Sequence, residues 1–120
     1  MRFGLAFLVA ALLATPAAAQ VVAPPQLSLE HRMLLRCSAA FALVANRQEA
    51  GDASVRQYPP LKQRGGEYFV RASARVMDEA GLDRTAVSEA LRVEAQSLLQ
   101  DGKLAAIMPV CLSALEAAGL

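Results

Sequence analysis

Apolar residues along this chain recur at three- and four-residue steps and do not alternate over any long run, so the pattern predicts helices and no strand. Ser28 can cap a first helix in which Met33 or Leu34, Cys37, Phe41 and Val44 share one face, with Arg32, Arg36, Arg47 and Glu49 largely elsewhere. Gly51 stops it, as a left-handed cap would. A second helix is expected from about Glu67 to Ala80, ending at Gly81. Its buried face is read as Phe69, Ala72 or Ser73, Val76 and Ala80, widened by Val70 and Met77. Its wet side holds two four-residue ion pairs, Glu67 with Arg71 and Arg75 with Glu79, each worth a few tenths of a kcal/mol.

Asp83 or Thr85 can cap a third helix lined by Val87, Leu91, Ala95 and Leu98, and Asp101-Gly102 makes the turn after it. The last helix runs through Leu104, Ile107 or Met108, Cys111 and Leu115 to Gly119. Pro109 lies inside that pattern and is expected to bend or divide it, because proline lacks one helical hydrogen bond. Between the first two helices, "DASVRQYPPLKQRGG" is the least regular stretch. Pro59-Pro60 disfavours helix before it and Gly65-Gly66 weakens helix after it, so a long ordered loop is expected. The fold class that follows is all-α, a small four-helix domain.

The N-terminus changes the setting of that domain. In "MRFGLAFLVAALLATPAAAQ" a basic residue, an apolar run from Phe3 to Leu13 and the small residues Ala17-Ala18-Ala19 follow one another, the layout of a secretory signal peptide. Cleavage is expected between Ala19 and Gln20, since the apolar run is shorter than the roughly 20 residues of a membrane span. The organisation read from the chain is therefore a leader over 1–19, an extended tether over 20–27 that contains Pro24-Pro25, and a helical domain over 28–120. Without the leader, 101 residues remain, with eleven basic against eleven acidic side chains. No basic field is left to attract nucleic acid or anionic lipid, and the length suits one core.

Export also decides how the two cysteines are read. In an oxidising compartment an even count implies a disulfide, here Cys37 to Cys111, joining the first helix to the last. The remaining aromatics are few, so such a staple supports a thin core of Leu, Val, Met and Ala.

Candidate chemistry is sparse. His31 is the only histidine, and the chain has no HxxxH and no CxxC, so no metal or cofactor is implied. His31 and Cys37 stand six residues apart, about 240° around a helix, which does not suit a nucleophilic dyad. The serines at 38, 73, 88 and 113 lie within helices rather than on a nucleophile elbow, so no catalytic residue is assigned and an enzyme is the least supported class. What stands out is "QYPPLKQRGGEYF", where Tyr58, Leu61, Arg64 and Tyr68 combine aromatic, apolar and guanidinium groups as interface hot spots do. These four are the candidate partner-binding residues. The alternative is that Tyr58 and Leu61 cover the core while the cations face water.

The segments "CSAAFALVANRQ", "PPL", "GEYFVRASARVMDEAGLDRTAV" and "MPVCL" together resemble small exported all-helical proteins of alphaproteobacteria. The resemblance covers most of the chain after the leader, its two cysteine segments are the most specific part, and it implies no activity. In size, helicity and a single disulfide alone the chain is also similar to periplasmic acid-stress chaperones and to secretion-system immunity proteins. The expectation is thus a non-enzymatic periplasmic or secreted binding or adaptor module with a protein partner in the cell envelope. An acid-stress chaperone and an immunity-type inhibitor are the alternatives. The many alanine faces leave open a homodimer.

Overall fold

The computed structural model describes residues 27–120; the leader and nearly all of the tether lie outside the described residues. Four helices follow one another: α1 (Leu29–Glu49), α2 (Lys62–Ala80), α3 (Arg84–Leu98) and α4 (Lys103–Ala117), with a short 3-10 turn, Ala53–Val55, between α1 and α2. The all-α four-helix class is the observed one, and no strand occurs among the described residues. Ser28 Oγ accepts from the His31 N–H at 3.0 Å, and Asp83 rather than Thr85 caps α3 by accepting from the Ala86 N–H at 2.8 Å. Gly81, with φ of 68°, ends α2 in the left-handed conformation that a side chain would disfavour.

α1 is the central helix and packs against the three others and the 3-10 turn. It is consequently buried on more than one face, through Leu35, Cys37, Ser38, Ala39, Ala40, Phe41 and Val44, a wider set than a single stripe predicts. One core cluster joins Phe41, Val44, Leu61, Tyr68, Met108 and Leu115; a smaller one gathers Leu35, Val76 and Val87. Sγ of Cys37 is bonded to Sγ of Cys111, with the Cα atoms 5.2 Å apart, so the disulfide joins α1 to α4 inside the larger cluster. By loop entropy, such a closure contributes about 4 kcal/mol.

Two expectations are corrected. α2 begins at Lys62, not near Glu67, and runs through both glycines. Gly65 is buried, and a Cβ built there would stand 2.8 Å from Phe41 Cβ, so the missing side chain is what lets α2 close on α1. The buried stripe is then Gly65, Tyr68, Ala72, Ser73 and Val76. Phe69 and Val70 fall outside it, 41% and 60% exposed. The second correction concerns Pro109: α4 is one helix through it. Pro109 and Ala105, four residues earlier, both lie on the exposed side, where a carbonyl without its helical donor can be hydrated.

Polar contacts fix the remaining elements. Arg64 and Arg71 on α2 donate to the carbonyls of Leu120 at 2.7 Å and Ala118 at 3.1 Å, tying α2 to the end of α4. On α1 and α2, His31 Nε2 meets Glu79 Oε2 at 2.9 Å, Arg75 Nε donates to Glu79 at 2.8 Å, and Arg75 also reaches Glu30. Glu94 of α3 is buried and accepts from Arg36 Nε at 2.7 Å, with Arg32 at 3.8 Å. A buried carboxylate on a face expected to be apolar is thus matched by cations from α1.

Candidate functional surface

The loop that carried the sequence-based candidates is pinned from α1. The Gln48 amide donates through Nε2 to the Pro59 carbonyl at 2.9 Å and accepts through Oε1 from the Leu61 N–H at 3.1 Å. That holds Leu61 in the core with no accessible surface. Tyr68 is also buried, its ring against Phe41, and burial pushes its hydroxyl above the ordinary value. Leu61 and Tyr68 therefore have almost no surface to offer a partner, and Arg64 is engaged at the end of α4. Of the four, Tyr58 alone exposes appreciable side-chain surface to an open cleft without being tied to another element. It is half-buried, in a shallow space of about 350 Å³ with Gln48, Asp52, Val55 and Arg56. The Ser54 backbone N–H bonds the Asp52 carboxylate and holds it below its ordinary value. The four residues do not form one patch.

A larger apolar surface surrounds Phe69 on α2. Three depressions meet at Phe69. One, of about 290 Å³, lies between α1 and α2 beside Ala42, Ala45 and Gly66. The second, of about 410 Å³, lies between α1 and α3 beside Ala42, Leu43 and Leu91. The third, of about 440 Å³, lies between α2 and α3 and is walled by Val70, Met77, Val87 and Leu91. Small side chains on α1 produce the first two, since Ala42 lines both and fills little of the space beside Phe69. Surface cations around it are mostly paired: Arg92 with Glu89 at 3.0 Å and Lys62 with Glu49 at 2.5 Å. Ser73 lies in the floor of the third depression, 7% exposed, and its hydroxyl has no hydrogen-bond partner among the described residues.

This surface was legible in one signal that the sequence reading did not use. Starting α2 at Lys62 aligns Gly65, Tyr68, Ala72 and Val76 as a stripe and leaves two adjacent large apolar residues, Phe69 and Val70, to one side of it. Among the described residues, no three of His, Cys, Asp and Glu converge as metal ligands would, and no helix is long and apolar enough to cross a membrane. No family model matches the chain, and no curated protein or solved structure matches it either.

Proposed function

We propose that this protein is a non-enzymatic binding or adaptor module of the cell envelope, acting after export, and that it docks an apolar segment of a partner protein on the surface around Phe69. One observation carries the reading. Phe69 stands exposed where three apolar depressions meet, with exposed Val70 in the wall of one of them, and an apolar surface of this kind, rimmed by charge pairs, is what docking surfaces present. The buried Cys37–Cys111 bond suits an oxidising compartment, in agreement with the leader pattern over 1–19.

The reading is tested by placing a photo-crosslinking residue at Phe69, with the same residue at Val110 on α4 as control, in cells that export the protein. A recurrent adduct of one mass from position 69 only, lost when Val70→Asp is added, is the expected result. Equal adducts at both positions, or none at 69, would remove it.

A second reading, an acid-activated chaperone, draws on the cluster of Glu30, His31, Arg75 and Glu79 that joins α1 to α2. Protonating the Glu79 carboxylate, which His31 and Arg75 hold below its ordinary value, would loosen that junction. It predicts protection of an aggregation-prone client near pH 4 and none near pH 7; absence of protection at the lower pH ends it.

A further inference from the structure

We propose that the groove between α2 and α3 receives the apolar C-terminal residues of a partner protein, with the partner's terminal carboxylate on Arg84. This rests on the binding-module reading and names the chemistry of its ligand. The groove, of about 440 Å³, is within the range of roughly 300–1,000 Å³ in which proteins hold small ligands. Its walls are Phe69, Val70, Met77, Val87 and Leu91, and among the described residues Arg84 is the one charged side chain lining it. The Arg84 guanidinium forms no ion pair among the described residues. Residues 1–26 cannot supply one, because they contain neither Asp nor Glu. The nearest acid in sequence, Asp83, is engaged in capping α3. An unpaired guanidinium beside an apolar trough is complementary to an apolar ligand that carries one carboxylate.

A peptide terminus and a fatty acid share that chemistry, and the groove favours the peptide. From Phe69 to Met77 it follows eight residues of helix, about 12 Å. Three or four extended residues at about 3.3 Å each fill that length, whereas a long acyl chain would overrun it. Its wall also carries the exposed Ser88, whose hydroxyl can accept from a peptide N–H. An acyl chain has no use for that group. Capture of a C-terminal carboxylate beside a hydrophobic contact is a recurring mode of peptide recognition.

The test uses the whole domain and a set of fluorescent peptides with all combinations of Ala, Val, Leu and Phe at the last four positions. Each peptide is made with a free carboxylate and as the C-terminal amide, and binding is read by anisotropy. The best acid-terminated peptides should lose about tenfold or more in affinity as amides, and a similar factor against Arg84→Gln, since a hydrogen bond to a charged group is removed. Arg84→Lys should retain part of the preference, and Val70→Asp should abolish binding; circular dichroism checks that each variant is folded.

Amides that bind as well as acids, or no binding by any member, would overturn the proposal. So would Arg84-dependent binding of decanoate without any peptide, which would give the groove to a lipid. A Val70→Asp effect confined to a change from dimer to monomer would give it to a second copy of this chain. If the peptide preference fails while the adduct at Phe69 persists, only the assignment of the groove falls; if the adduct is also absent, the binding-module reading falls with it.

Discussion

The Phe41 and Tyr68 rings meet edge to face, 5.2 Å between centroids and 88° between planes, and this contact locks α2 to α1 beside the Gly65 crossing. Tyr68 and Phe69 are neighbours in sequence with opposite roles. Tyr68→Ala should cost about 3–5 kcal/mol, as large aromatic truncations in cores do. Phe69→Ala should cost less than about 1 kcal/mol, because much of that ring is already in water. Urea midpoints of the two variants measure the difference; similar losses would mean that Phe69 is a core residue.

The paired glycines give a sharper contrast. At Gly65 an added methyl meets Phe41 Cβ, which is rooted in the α1 backbone and cannot swing aside. Alanine also gains about 1 kcal/mol of helix propensity, but overpacking of a tight helix crossing typically costs more, so Gly65→Ala should lose about 1–2 kcal/mol. Gly66 has open space beyond it, and Gly66→Ala should gain up to about 1 kcal/mol. Thermal and urea midpoints that move in the same direction for both would refute the crossing argument.

Ser73 has a buried hydroxyl without a partner among the described residues, and leaving such a group unpaired costs on the order of 1–3 kcal/mol. Ser73→Ala should therefore raise stability by about 1 kcal/mol. A fall in the urea midpoint would show that the hydroxyl is satisfied in solution.

Acid should weaken the junction of α1 and α2. Hydrogen bonds from His31 first, and then from Arg75, hold the Glu79 carboxyl below its ordinary value of 4.5. A carboxyl lowered in the folded state stabilises the protein above its unfolded pKa, and that contribution is lost as pH falls through the folded value. Below about pH 4.5 the wild-type protein should converge on Glu79→Gln, which is less stable at neutral pH. Thermal midpoints across pH 2–7 test this, and a gap that stays constant to the lowest pH would exclude the mechanism.

Much of the fold was legible because its punctuation is local. Ser28, Gly51 and Gly81 act where the pattern puts them, and an even cysteine count behind a leader-like N-terminus points to the Cys37–Cys111 pairing without any need for distance information. The error in α2 arose from reading Gly65 by propensity, when its role is close approach to another helix, a tertiary fact. That single misreading rotated the expected face by one residue, turning Phe69 inward and leaving Tyr68 as a candidate contact. Glu94 was hidden for a similar reason: its burial is compensated by Arg36 from a helix far away in sequence. The groove between α2 and α3 needed the correction to α2, since Phe69 and Val70 wall it only once they leave the buried stripe, and its other wall and Arg84 come from α3.

The bond between Cys37 and Cys111 also makes most of this chain a covalent macrocycle. The 3-10 turn, α2 and α3 all lie within the ring, as do the apolar surface around Phe69 and the half of α1 that flanks it. A single peptide-bond break anywhere in that ring would open it without releasing a fragment, and the surface would stay attached to both α1 and α4. In an extracytoplasmic space with resident proteases, the disulfide would therefore give this domain tolerance to nicking, beyond its effect on the folding equilibrium.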